Sequence, residues 1–346
     1  MDVQEEFIEP IQINNELLLR DLKKLIQDLE HDKRKVNKLA EDIGLRQLSN
    51  VYSNMINQSK TKARNLSFSK TLGTETSIND NKNHLLAKAH TLIHLKSNSV
   101  CSWIPKVGCS NIRFSIALAN GAISSSEDIG WIHGNNASFC ADNKELLNAD
   151  YAFTFLRNPF KRLVSFFLDK LCHDDPNRID LSYSHAQKIF GTSESTSFKD
   201  FVKILEEKPS LIDKDTHTRR QSDFLIYNQY DDYFSLENYS HATQTILSKT
   251  GLEIIDTRNI NSVKTTYKLE ESTEINYNTK ASEIKRIMLS GKKPSIKNMY
   301  TNEMCKTVGI LYLPDILIYI DKVKDPENEM NYWINRAIHE QINSSP

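Results

Sequence analysis

Glycine and proline are scarce, ten and nine in 346 residues, which excludes a collagenous or loop-dominated chain. The five cysteines (Cys101, Cys109, Cys140, Cys172 and Cys305) are odd in number and show no C-x-x-C spacing. Neither a disulfide framework nor a zinc site is expected from them, and a reducing compartment fits. An excess of one charge is missing too. Forty-four Lys and Arg face 45 Asp and Glu, so no global field argues for a nucleic-acid partner. No apolar run approaches the roughly 20 residues that cross a bilayer, and the acidic start MDVQEEFIEP has no apolar signal core. The expectation is a soluble, cytoplasmic protein without a transmembrane segment. A G-x-x-x-x-G-K-[ST] loop is also absent, which counts against an ordinary nucleoside triphosphatase. No constellation of metal ligands stands out, so no metal is expected.

What remains is enough for a proper core. Hydrophobic residues make up 39% of the chain, and its length suits one large α/β domain with an appendage. The appendage is residues 1–70. Leu22, Leu29, Val36 and Ile43 recur every seven residues, with Leu18, Leu25 and Leu39 at the offset positions. That is the a/d seam of a coiled coil, broken by Asp32 and flanked by charged residues. A dimerising or partner-docking arm and a helical hairpin folded onto the main domain both satisfy the pattern. Ser, Thr, Asn and Lys dominate from 59 to 85, and the linker proper is set at 71–85, ahead of a main domain over 86–346.

In that domain a helical stretch, His84 to Leu95, leads to an apolar run, Val100 to Ile104, which stops at Pro105. Lys106, Gly108 and Ser110 follow in a tight segment, then a helical pattern to Gly121. A strand, a turn and a helix N-terminus with a lysine in the turn suit a phosphate or sulfate, because unpaired N–H groups and the helix dipole converge there. An ordinary strand-to-helix connection, with Ser110 as N-cap and Lys106 in solvent, also fits the stretch and is the commoner origin of such a turn. A second short apolar run, Ala152 to Leu156, leads into Arg157-Asn158-Pro159, with Asn158 placed as N-cap and Pro159 as the first helical residue. Phe160, Leu163, Val164, Phe166, Phe167 and Leu171 recur at helical spacing behind it, with Ser165 two turns in. Arg157 and Ser165 are placed to grip a second anionic group. Further along, Ser197 caps a helix over Phe198 to Glu206, and a strand falls near Tyr233-Phe234. A helix over Glu237 to Lys249, a strand over Leu252 to Ile255 and helices from Thr301 complete the pattern. Strands alternating with helices argue for α/β architecture, a parallel sheet flanked by helices.

Together the two stretches resemble the nucleotide-sulfate site of sulfotransferases that use 3′-phosphoadenosine-5′-phosphosulfate (PAPS). The likeness is to the carbohydrate sulfotransferases of the chondroitin and HNK-1 kind. Their first motif, roughly P-K-V-x-C-[ST]-N, is matched by Pro105-Lys106-Val107-Gly108-Cys109-Ser110-Asn111. The second, roughly F-x-R-[DN]-P-[FY]-x-R-L-V-S, is matched from Phe155 to Ser165. Fainter likeness extends over about residues 95–320. The resemblance implies a P-loop-like sulfotransferase fold, PAPS as co-substrate and a hydroxyl-bearing carbohydrate as acceptor. Lys106 would stabilise the leaving bisphosphate. Ser110 and the N–H groups of Val107, Gly108, Cys109, Ser110 and Asn111 would hold the 5′-phosphosulfate. Arg157 and Ser165 would hold the 3′-phosphate.

An acceptor hydroxyl needs a general base. His133 lies between the two motifs, where related enzymes carry a histidine, and His217 resembles the histidine of the family's D-x-H-W-x-P-Q segment. Here Thr218 replaces the tryptophan and Arg220 the proline. His133 is the first choice and His217 the second. Glu237 matches an acidic family position and reads as supporting, while Lys292, Lys293 and Lys297 read as a solvated loop. Tyr300, Tyr312, Asp315 and Tyr319 echo a C-terminal family pattern and read as core and helix-docking residues. The animal relatives carry a Golgi anchor that this sequence does not show, so a bacterial source is expected. Two other readings stay open: an ATP-using, nucleotide kinase-like enzyme, and a non-catalytic scaffold that dimerises through the helical arm.

Overall fold

The computed structural model describes residues 64–68, 77–172, 181–259, 269–323 and 329–338. The heptad pattern up to residue 63, with its dimer expectation, lies outside the described residues, as does 71–76 of the linker. The last linker residues carry a single 3₁₀ turn, Ile78–Asp80, and the start of α1 (Lys82–Ala89), which Asn81 caps through the N–H groups of Asn83 and His84.

A four-stranded sheet carries the domain. In chain order its parts are β1 (Thr91–His94), β2 (Ser99–Ser102), α2 (Cys109–Ala119), α3 (Asn143–Asn148), β3 (Tyr151–Leu156), α4 (Pro159–Lys170), α5 (Leu181–Phe190), α6 (Phe198–Glu207), β4 (Asp232–Ser235) and α7 (Tyr239–Thr250). Strand order is β1-β2-β3-β4. The pairs β2–β3 and β3–β4 are parallel, whereas β1 pairs antiparallel with β2. A small parallel pair, β5 (Glu270–Ser272) with β6 (Lys292–Pro294), flanks α8 (Ala281–Leu289). Three helices close the fold: α9 (Asn302–Leu311), α10 (Leu313–Lys322) and α11 (Glu329–Ile338).

Two expected elements are corrected. The single helix expected over His84 to Leu95 is instead α1 followed by β1, because β-branched Thr91 and Ile93 favour the extended chain. Asn98, at a left-handed φ of 46°, then turns the chain into β2. Leu252 to Ile255 does not form a strand. The Leu252 N–H donates to Thr250 Oγ1 and the Ile255 N–H to Ser115 Oγ of α2, and just beyond it the Thr257 N–H donates to Asn111 Oδ1.

The second sequence motif folds as its residues dictate. Asn158 Oδ1 accepts from the N–H groups of Phe160 and Lys161, and Pro159 occupies the first turn of α4. The apolar face of α4 enters an aromatic core. Phe160 stacks on Trp333 of α11 at 5.1 Å, while Phe166 and Phe167 meet Phe201 of α6 at 5.6 and 5.9 Å. Tyr300, Tyr312 and Tyr319 are all buried beside it. Burial of side chains this large is the main force fixing α4, and with it Arg157 and Ser165, relative to the sheet. No helix among the described residues is long and apolar enough to cross a membrane.

Candidate active site

The β2–α2 connection holds the lysine of the first motif in an unusual backbone. Lys106 has a φ of 67° and Gly108 a φ of 68°. Two left-handed residues tighten the turn that leads into the N-terminus of α2, an element end that suits an anion. Gly108 itself is the N-cap of α2 and makes no side-chain cap, so Ser110 is not the cap but lies in the first helical turn. A side chain at Gly108 would meet both the left-handed backbone and Leu236 Cδ1, 3.0 Å from the position of a Cβ.

Not all of the expected anion contacts point outward. The Val107 N–H is bonded to the Ile104 carbonyl and the Asn111 N–H to the Gly108 carbonyl, and the Val107 side chain is buried. Asn111 is committed to the fold: its Nδ2 donates to the Tyr239 hydroxyl, and its Oδ1 accepts from both the N–H and the hydroxyl of Thr257. That leaves the Gly108, Cys109 and Ser110 N–H groups as the helix-terminal donors with no intrahelical acceptor.

Arg157 lies directly against this turn. Its Nη1 donates to the Lys106 carbonyl at 3.0 Å. Gln221 grips the Arg157 backbone from both sides, Oε1 accepting from its N–H and Nε2 donating to its carbonyl. Lys106 Nζ pairs with Asp169 Oδ2 at 2.9 Å, and Lys170 Nζ lies 3.3 Å from the same oxygen. Burial pulls the Lys106 ammonium below the usual lysine range, opposed by Asp169, while Lys170 and Arg157 pull in the same direction as burial. Ser165 stands one helical turn before Asp169 and is half-buried. Lys106, Arg157 and Asp169 are thus brought to one place, with Ser165 on the α4 turn before Asp169.

Arg162, quoted within the second motif but given no task by sequence reasoning, is the residue that ties the site together. Fully buried, it donates from Nε to the Pro105 carbonyl at 3.0 Å and from Nη1 to the Arg219 carbonyl at 2.7 Å. The Lys106 turn is thereby bonded to the segment that carries His217. Asp315, also buried, accepts from the N–H groups of Gln221 and Ser222 and acts on the Arg162 charge. Burial raises the Asp315 carboxyl, with Arg162 and those N–H groups opposing.

The two histidines differ in setting. His133 ends a 3₁₀ helix, Ser126–His133, and is exposed; the carbonyl before it, that of Ile132, accepts from Arg113. His217 is partly buried, and its Nδ1 lies 2.8 Å from Asp215 Oδ1. Burial alone would raise the Asp215 carboxyl, but the His217 ring and N–H outweigh it and hold it below the usual range. With Nδ1 so engaged, the His217 ring is oriented with Nε2 turned away from Asp215. His90 is close enough to feel the charges of His217, Arg113 and Arg219, and its ring packs on Trp103 at 4.4 Å.

Glu237 is supporting, as expected: it accepts from the Asn158 N–H, the Ser235 hydroxyl and the Tyr319 hydroxyl. Lys292 lies 3.5 Å from Glu274, and Lys297 stands over the Tyr332 ring. Among the described residues no group of three or more His, Cys, Asp or Glu is arranged to hold a metal ion.

The model of the sulfotransferase family matches residues 89–319, so the chain belongs to that family. The match spans β1 to α10 and includes the turn at Lys106, the α4 N-terminus and the His217 segment. Carbohydrate sulfotransferase 10 of Xenopus laevis is 36% identical over 91 residues, 23% of this chain and 25% of its own length. A mouse dual adapter for phosphotyrosine and 3-phosphotyrosine and 3-phosphoinositide is 30% identical over 100 residues, covering 29% of this chain and 35% of the adapter. The chain thus spans only about a quarter to a third of these curated relatives. No solved structure matches it.

Proposed function

We infer that this chain transfers a sulfuryl group from PAPS to a hydroxyl of a carbohydrate acceptor. The observation that carries the reading is that Arg157 and Lys106 meet at the left-handed turn that opens the N-terminus of α2. A nucleotide bisphosphate fits that donor set of helix-terminal N–H groups, two cations and a hydroxyl, provided Lys106 releases the Asp169 carboxylate. Family membership and the likeness to a carbohydrate sulfotransferase support the donor and acceptor classes.

Bound there, PAPS would supply the activated sulfuryl group. The protein's share is positioning and charge stabilisation, because transfer of this kind passes through a loose in-line transition state. Lys106 would neutralise the charge that grows on the departing 5′-phosphate oxygen. Gly108, Cys109 and Ser110 would hold the 5′ side through their N–H groups, and Arg157 with Ser165 the 3′ side. Either His217 or His133 would take the acceptor proton. His217 is the better supported, since Asp215 orients its ring and would stabilise the imidazolium that forms. That reverses the order expected from sequence.

The test is transfer of labelled sulfate from PAPS to a panel of desulfated polysaccharides. Lys106→Ala should lower turnover about a hundred-fold or more, and His217→Asn should lose about a hundred-fold while His133→Asn stays near wild type. Full activity in Lys106→Ala refutes the donor chemistry, and loss in His133→Asn alone returns the base to His133.

A further inference from the structure

Asp169 sets a problem for an anion site, since a carboxylate bonded to the catalytic lysine repels the ligand that lysine is meant to bind. Three observations bear on it. Asp169 Oδ2 holds Lys106 Nζ at 2.9 Å. Lys170 Nζ reaches the same carboxylate at 3.3 Å, so Asp169 has a second cation at hand when Lys106 leaves. Asp169 also follows Ser165 by one helical turn, which puts the carboxylate on the helix face assigned to the 3′-phosphate.

We propose that Asp169 is a positioning residue, an internal counter-ion that occupies the Lys106 ammonium until a nucleotide bisphosphate displaces it. The proposal rests on the donor site inferred above. Without Asp169, Lys106 stands close to two cations, Lys170 and Arg157, and both disfavour its charged form. With it, the Lys106 ammonium has a carboxylate partner at 2.9 Å that favours its charged form and docks it beside the turn. On donor binding Lys106 exchanges the carboxylate for phosphate oxygen, and Asp169 remains compensated by Lys170. The exchange moves no covalent bond and no proton. Its consequence is that part of the intrinsic affinity for the bisphosphate is spent on breaking the Lys106–Asp169 pair, which keeps product release from becoming too slow.

The experiment is calorimetric titration of adenosine 3′,5′-bisphosphate into the full-length wild type, Asp169→Asn, Lys170→Met and the double variant, each first checked for a native thermal transition. Asp169→Asn should bind about ten-fold more tightly than wild type, because a competing charge has gone. Lys170→Met should bind more weakly, and this loss should disappear when Asp169 is already Asn, a coupling that a purely structural residue would not produce. In steady state Asp169→Asn should lower KM for PAPS, with kcat falling if release limits turnover. Unchanged or weaker bisphosphate binding by a folded Asp169→Asn overturns the proposal while leaving the donor site intact. No binding by wild type overturns the donor site itself.

Discussion

Replacing Arg162 by methionine tests whether one buried guanidinium joins the two halves of the site. The side chain is 2% exposed and its hydrogen bonds to the Pro105 and Arg219 carbonyls are short, whereas the third, to Thr216, is 3.5 Å and counts for little. A hydrogen bond to a charged group contributes about 1.5–3 kcal/mol, so two good ones set a loss of about 3–6 kcal/mol. Methionine fills most of the volume but leaves two carbonyls unpaired and removes one of the charges that oppose the burial of Asp315, with Arg220 and two N–H groups remaining. The middle of that range, about 4 kcal/mol, is a large share of a domain's total. Urea unfolding of Arg162→Met should show that loss, and adding Asp315→Asn should recover part of it, since a neutral amide needs no counter-charge. Arg162→Lys keeps the charge without the fork and should lie between, with weakened donor binding because Pro105 precedes Lys106. A folded Arg162→Met within about 1 kcal/mol of wild type refutes the reasoning.

Gly108→Ala should destabilise the domain by about 1–2 kcal/mol through its left-handed backbone and should weaken bisphosphate binding as well, measured by urea unfolding and calorimetry. An alanine variant with wild-type stability argues against the turn as described. His90 is buried and its pKa is lowered to about 4, first by desolvation, so the unfolded chain binds the extra proton between about pH 4 and 6.5. The stability it contributes is therefore present above pH 6.5 and lost as pH falls to 4, on the order of 3 kcal/mol. Asp223, raised to about 7 by burial, runs the opposite way over the same window, so the measurement is the difference between wild type and His90→Gln. That difference should rise with pH from 4 to 6.5, and a flat one refutes a buried neutral His90.

How much of this was legible in the sequence varies with the kind of signal. The stretch from β3 to α4 could be read almost residue by residue, because an apolar strand, an Asn cap, a first-turn Pro and a 3.6-residue period all point the same way. Lys106, Arg157 and Ser165 were singled out through motif likeness, and the fold sets Arg157 against the Lys106 turn. The β1–β2 hairpin was missed because four apolar-rich residues next to a helix continue its period as readily as they start a strand. Leu252 to Ile255 looked like a strand but has no neighbour to pair with, a fact that lives in the tertiary arrangement. Arg162 and Asp169 were unremarked for the same reason. A charged residue inside an amphipathic helix reads as solvated until the carbonyl or ammonium it meets, 57 and 63 residues away, is in view. One local clue pointed to Asp169: its i+4 spacing from Ser165.

The most direct test of the central claim is calorimetric binding of adenosine 3′,5′-bisphosphate and of ADP to the wild type and to Arg157→Ala. The account predicts that wild type binds the bisphosphate at least about ten-fold more tightly than ADP and that Arg157→Ala loses most of that preference. Equal affinity for the two nucleotides, or no binding of the bisphosphate by wild type, would contradict it.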